Sequence, residues 1–277
     1  MTNPSFSRWR LIKSPPARGS WNMAVDEAIL QQIGLDENIT TLRLYGWQPY
    51  CLSLGYAQPW SDINTAKLEQ LGWNIVRRST GGRAILHKDE LTYAVIASTS
   101  EPRLQGSVLE SYRYISKALL KALNQLGAAA QTAVINKTAD DRRTHNPVCF
   151  EVPSNYEITV AGKKLIGSAQ SRRREGILQH GSLPLSGDIT DIINVLSFSN
   201  KERKDAASQR LSKRATSLEP VLNRKITWEE AAHEFIIAFQ EVLNLELEPG
   251  GLSRSEIEKA TELENNKYQN PDWTRRI

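Results

Sequence analysis

The chain has 277 residues, with 35 Lys and Arg against 31 Asp and Glu, four His and two Cys, giving a net charge of +4. A composition of 40% hydrophobic and 24% charged residues is that of a globular protein and excludes a disordered chain or a fibrous repeat. The longest apolar runs, such as Tyr93–Ala97 and Phe235–Phe239, have five residues, far short of the ~18 of a membrane span, and no secretory signal is visible near Trp9. No membrane association is therefore expected. Two cysteines, Cys51 and Cys149, cannot build a disulfide framework, so a reducing cytoplasm is the expected compartment. The small positive excess does not demand nucleic acid and suits an acidic partner.

In chain order, Asn22–Ile33 reads as a helix stopped by Gly34. Thr40–Trp47 and Cys51–Leu54 alternate as strands, Thr65–Leu71 is a short helix ended by Gly72, and Trp73–Arg77 and Leu91–Ala97 are strands. The spacing of Val108, Tyr112, Ile115, Leu119, Leu123 and Leu126 predicts a helix over Val108–Leu126, opened by a Ser107/Glu110 capping box and closed by Gly127. Tyr156–Val160 and Lys164–Gly167 are the arms of a hairpin turning at Ala161-Gly162, and Gly176–Leu183 is a further strand. From about residue 187 the pattern becomes mainly helical. Ile189–Leu196 is a short helix, Asn200–Arg214 a charge-rich solvated or mobile face, and Thr227/Glu230 and Ser253/Glu256 open two more helices. One α+β domain over 1–277, with a mainly helical C-terminal portion, accommodates this order, and a monomer is expected.

There is no phosphate loop of the GxxxxGK[ST] type, no GxGxxG, no HExxH and no paired CxxC. His87 and Glu90 have HxxE spacing, but two ligands do not make a zinc site, and hydrogen bonding to nearby loops is the plainer reading; no metal is expected. Three clusters remain. Arg77–His87 runs from a strand through Gly81-Gly82 into another strand, which fits either a tight hairpin with flanking charges or a binding loop. Cys149, between Pro147 and Pro153, fits either a nucleophile on a loop or a small buried side chain, whereas Cys51 beside Leu52 and Leu54 reads as core. Lys163 and Lys164 follow a turn, so their side chains point to opposite faces of the sheet, one to solvent and one inward, with Gly167 leaving room for a ligand. Arg172–Arg174 fit a solvated loop or a docking patch for an acidic surface.

Taken together, Arg77-Arg-Ser-Thr-Gly-Gly-Arg-Ala-Ile-Leu-His87 resembles the RRxTGGxAxxH signature of the lipoate–protein ligase and biotin–protein ligase group. Lys164-Leu-Ile-Gly-Ser-Ala169 resembles its KxxGSA motif, and Asn22–Asp26 its opening helix. Cys149-Phe150 followed by Pro153-Ser154, with Gly167–Ser171 and Leu178–Ser182, is most similar to the cysteine-dependent octanoyltransferases of that group. The resemblance implies an α+β fold, a mixed sheet with flanking helices like the catalytic domain of biotin ligases and class II tRNA synthetases. It implies transfer of octanoate from octanoyl-acyl-carrier protein to a lysine of a lipoyl-domain protein, either the glycine-cleavage H protein or a 2-oxoacid dehydrogenase E2 subunit. Cys149 would be the nucleophile and Lys164 the group holding the acyl carbonyl, while Arg78, Gly81, Gly82, His87, Gly167 and Ser168 would bind substrate. No cofactor is implied, because a thioester is already activated. An ATP-dependent ligase, a relay between lipoyl proteins and a non-catalytic binding protein are the competing expectations.

Overall fold

A computed structural model of the chain describes residues 6–33, 39–133 and 157–277. Strand β1 (Ser7–Lys13) leads into helix α1 (Gly19–Gln32), β2 (Thr41–Tyr45) and β3 (Cys51–Leu54). Then come α2 (Thr65–Leu71), β4 (Asn74–Arg77), β5 (Ile85–His87), β6 (Glu90–Ala97), α3 (Val108–Gln125) and β7 (Gln131–Ala133). After β8 (Glu157–Val160), β9 (Lys163–Arg172) and β10 (Ile177–Pro184), a 3-10 segment spans Ile189–Val195. It is followed by α4 (Lys201–Arg214), α5 (Leu218–Leu222), α6 (Trp228–Leu243), β11 (Leu245–Pro249), α7 (Arg254–Leu263) and α8 (Pro271–Thr274). Among the described residues, no helix is long and apolar enough to cross a membrane.

The described strands form a mixed sheet in the order β11-β1-β2-β6-β10-β9-β8-β7, and a smaller sheet in the order β4-β3-β5. The large sheet is covered on both faces, as the alternation of β6 shows. Leu91, Tyr93, Val95 and Ala97 join the core under α3 and α6, whereas Ala94 and Ile96 join the core under α1. A strand buried on both sides needs apolar residues at every position, which is why β6 reads as a continuous run. The third cluster fills the space between the small sheet and the C-terminal helical layer, with Leu52, Leu54 and Ile85 against Ile192, Ile193, Ala207 and Leu211.

Helix α3 starts at Ser107 with both halves of the capping box present. Ala161 and Gly162 take φ of 48° and 76°, the positive pair that a two-residue hairpin turn needs. Elsewhere the structure departs from the expectations. Helix α1 begins at Gly19 rather than Asn22, while Gly34 and Tyr156 lie outside the described residues. Only half of the Thr227 box forms, because the Glu230 carboxylate pairs with Arg224 at 2.7 Å instead of closing on the cap. Strands β1 and β11 were not anticipated, and they pair in parallel at the sheet edge, Ser7 opposite Leu245. The Asn200–Arg214 run is solvated along most of its length, as one of the two readings expected. It is a helix capped by the Asn200 side chain and anchored through buried Ala207 and Leu211.

Candidate active site around the arginine–glycine loop

Strands β4 and β5 do not pair with each other, because β3 lies between them, parallel to β4 and antiparallel to β5. The hairpin reading of Arg77–His87 therefore fails, and residues 78–84 form a loop that crosses the end of β3. The crossing is close. A Cβ on Gly55, just after β3, would lie 1.9 Å from the Gly82 carbonyl oxygen, and Gly82 itself has φ of 94°.

Both arginines point inward and hold this loop through backbone carbonyls. The Arg77 guanidinium donates to the carbonyls of Gly55, Gln58 and Thr274 at 2.6–3.0 Å. Arg78 donates to Ser53 O at 3.0 Å, Ser53 Oγ at 3.1 Å, Gly81 O at 2.9 Å and Arg83 O at 2.7 Å. A planar fork with five donors suits this task, which a lysine could not perform.

Beneath the loop is a narrow cavity of about 20 Å³, bordered by Met23, Tyr45, Trp47, Arg78, His87 and His180, with Gly167, Ser168 and Gly181 of β9 and β10. Two carboxylate–imidazole–hydroxyl chains flank it. In the first, His87 Nδ1 faces Glu90 at 2.8 Å and Nε2 faces Ser53 Oγ at 2.8 Å, while the Trp47 ring stacks on the imidazole at 3.8 Å between centroids. His87 and Glu90 are thus joined to each other and His87 to a strand residue, rather than to nearby loops as the plainer reading expected. In the second, His180 Nδ1 faces Asp26 at 3.4 Å and Nε2 faces Thr80 Oγ1 at 2.7 Å. A carboxylate at Nδ1 assigns the proton there, so that Nε2 accepts from the hydroxyl in each chain.

Burial pushes the His180 pKa below its ordinary value, only partly opposed by Asp26, and the ring is neutral at pH 7. Burial pushes the Asp26 carboxyl upward, but Arg43 at 2.7 Å and His180 outweigh it and hold the group below the usual carboxylate value. Asp26, His180 and Thr80 had no assigned role in the sequence reading. Asp26 and His180 stand 154 residues apart, so local spacing cannot link them, although both fall inside stretches that carried the family resemblance.

A wider basin of about 750 Å³ opens beside the cavity, bordered by Tyr56, Gly81, Gly82, Arg83, Gln170 and Lys267 among others. Gly81 and Gly82 thus border the outer basin, whereas Arg78, His87, Gly167 and Ser168 border the inner cavity. Cavity and basin follow one strand, the first along residues 167–169 of β9 and the second along its continuation. Lys164 stands at the start of β9. It is buried, as one of the two adjacent lysines was expected to be, and Nζ donates to Glu157 Oε1 at 2.7 Å. Exposed Lys163 reaches the Ser212 carbonyl at 2.9 Å. Cys149 lies outside the described residues. Cys51 is fully buried against Gly19, and burial pushes its thiol pKa far up.

Arg172 and Arg173 are not a free patch. Arg172 donates to the carbonyls of Leu104 and Gly106, both at 2.8 Å, closing the loop before α3, and Arg173 pairs with Glu27 at 3.2 Å.

The model of the lipoyl protein ligase A/B catalytic domain matches residues 18–240. The chain belongs to that family. Within the lipoyl protein ligase A/B family it is 40% identical over 271 residues to octanoyltransferase LipM of Kyrpidia tusciae, covering 97% of this chain and 98% of that protein. It is 38% identical over 266 residues to octanoyltransferase LipM of Carboxydothermus hydrogenoformans, covering 96% and 97%. Among solved structures, a chain of the bi-partite lipoate protein ligase system of Thermoplasma acidophilum superposes with a TM-score of 0.82 at 20% identity, covering 97% of this chain and 96% of that one. Lipoate-protein ligase A bound with ATP gives 0.79 at 21% identity, covering 97% and 98%. These neighbours share the α+β fold, a mixed sheet with flanking helices.

Proposed function

We propose that this protein is an octanoyltransferase of protein lipoylation. The observation that carries the reading is 38–40% identity to proteins named octanoyltransferase over 96% or more of the chain. The cavity beneath the Arg78 loop, which has to widen from about 20 Å³ to admit an eight-carbon chain, and the basin beside it along β9 support the reading, since an acyl chain needs a dry slot and its thioester an open approach.

The Cys149 thiolate attacks the thioester carbonyl of octanoyl-acyl-carrier protein. The carbon–sulfur bond to the carrier breaks, and the carrier leaves as a thiolate that takes a proton from solvent. The amine of a lipoyl-domain lysine, on an H protein or an E2 subunit, then attacks the Cys149 thioester. An amide forms, the amine loses its proton, and Cys149 leaves as a thiolate. Lys164 donates a hydrogen bond to the acyl carbonyl oxygen as charge grows there in each step. Arg78, His87, Gly167 and Ser168 shape the acyl slot, and Gly81 and Gly82 border its approach. No cofactor enters this reaction, which takes place in the cytoplasm on a monomer.

The test is intact-mass analysis after incubation with octanoyl-acyl-carrier protein without ATP. An octanoyl adduct on the wild type that is absent from Cys149→Ala is the expected result. Octanoylation of a lipoyl domain only when ATP and free octanoate are supplied would replace this reading with a ligase. Transfer from one octanoylated lipoyl protein to another, with none from the carrier, would replace it with a relay.

A further inference from the structure

Helix α4 carries six basic and two acidic residues, a net of +4 equal to that of the whole chain. The rest of the molecule is therefore electrically balanced, and the excess is gathered on one helix about 21 Å long, at 1.5 Å per residue. Only Ala207 and Leu211 are buried, while Lys201, Arg203 and Lys213 are exposed. The placement of these charges is not what helix stability favours. Lys213 and Arg214, in the last turn, complement the carbonyl end of the helix dipole. Lys201, Arg203 and Lys204 sit in the first turn, where positive charge meets unsatisfied N–H groups and costs stability that Glu202, the acidic residue of that turn, offsets only in part. Among the described residues these three side chains form no ion pair to offset that cost, in contrast to Arg172 and Arg173, which are engaged inside the fold.

The helix is also tied to the predicted acyl-transfer lysine. The residue after it, Ala215, bridges to Lys164, Thr216 N donates to Lys164 O at 3.0 Å, and Lys163 Nζ reaches Ser212 O at 2.9 Å. A partner seated on α4 is thus held beside the strand that carries Lys164.

We propose that the exposed face of α4 is the docking surface for the acidic carrier domain that delivers the octanoyl group; this rests on the transfer reaction proposed above. The donor fits better than the acceptor on grounds of reach. An acceptor lysine is a short side chain and must be presented at the basin itself. A thioester on a long flexible prosthetic arm can enter from a surface one element away.

The experiment reverses the first-turn charges in the triple variant Lys201→Glu, Arg203→Glu, Lys204→Glu. Acidic residues suit a helix N-terminus, so α4 is retained, and a Tm no lower than that of the wild type checks this. Steady-state transfer is measured with octanoyl-acyl-carrier protein and with octanoyl-pantetheine, a neutral donor with no carrier domain. The expected result is a KM for the carrier donor raised roughly ten-fold, kcat within two-fold and unchanged kinetics with octanoyl-pantetheine. The wild-type KM for the carrier should also rise with salt, and that dependence should flatten in the variant. An unchanged carrier KM, an equal rise for both donors, or a rise confined to the lipoyl-domain acceptor would each overturn the proposal. A wild type inactive with both donors would instead refute the transfer reaction and, with it, the need for a donor surface.

Discussion

Replacing Glu157 with Gln should destabilise the protein by about 3 kcal/mol. The carboxylate lies 2.7 Å from Lys164 Nζ, and both side chains are about 95% buried, with 5% and 4% exposure. Removing one member of a buried ion pair costs about 3–5 kcal/mol, because the other charge stays in a poorly solvating interior. Gln keeps a carbonyl acceptor and nearly the same shape, which places Glu157→Gln at the lower end of that range. At about 2–4 °C per kcal/mol for a chain of this size, Tm should fall by about 6–12 °C. Urea denaturation at pH 7 measures the loss directly, and Lys164→Met supplies the matching single variant. Because each single variant takes from a buried charge its counter-charge at 2.7 Å, the double variant should be less destabilised than the sum of the singles by about 2 kcal/mol or more. Acyl transfer should be abolished by Lys164→Met yet measurable in Glu157→Gln, which keeps the ammonium. A loss below about 1 kcal/mol for Glu157→Gln, or strictly additive singles, would refute the claim that these two buried charges support each other.

Acidification should weaken the fold from about pH 6.5 downward, since the unfolded chain protonates His180 near its ordinary pKa of 6.5 while the folded protein, with a depressed pKa, resists it. Urea midpoints at pH 7.5, 6.5 and 5.5 should fall in that order, and less steeply in His180→Gln; equal slopes would contradict the burial argument. Gly181→Ala should cut transfer at least ten-fold, because the new methyl would lie 2.5 Å from Ser168 Oγ and 2.6 Å from the Tyr93 ring. Full activity with a refined structure showing no shift of β9 would show that the cavity wall is softer than its packing indicates. Cys51 should resist iodoacetamide in the native protein and react fully in urea, as peptide mass mapping would show; its thiol is buried and held protonated.

The local signals in the sequence were legible where neighbours along the chain decide the structure. The Ser107 box sets the start of α3, the Ala161-Gly162 pair sets the hairpin, and the alternation of Lys163 and Lys164 separates an exposed from a buried lysine. Long-range pairing was not legible. Strand β1 has charged residues at Arg8 and Arg10, and it is a strand because Leu245–Pro249 and Thr41–Leu44 flank it. Helix α4 was hidden by a buried stripe of only two residues. At the site, the Gly81-Gly82 stretch stood out and the resemblance singled out Arg78, yet the residues alone left Arg77 and Arg78 either flanking charges of a hairpin or part of a binding loop. Their interior placement depends on carbonyls supplied by Ser53, Gly55, Gln58 and Thr274, which no periodicity in residues 77–87 announces.

Because Arg77 hydrogen-bonds the Thr274 carbonyl, 197 residues further on, the last fastening at the foot of the loop forms only late in the life of a nascent chain. At about 5–20 residues per second, the ribosome takes roughly 10–40 s to supply that partner. Over that interval Arg77 is held only through Nη1, by the Gly55 and Gln58 carbonyls, while Nε and Nη2 remain in water and β1 waits for β11. A chain stalled near residue 250 would therefore leave the apolar face of α1 that packs on Ala260, Leu263 and Tyr268 open to chaperones and proteases.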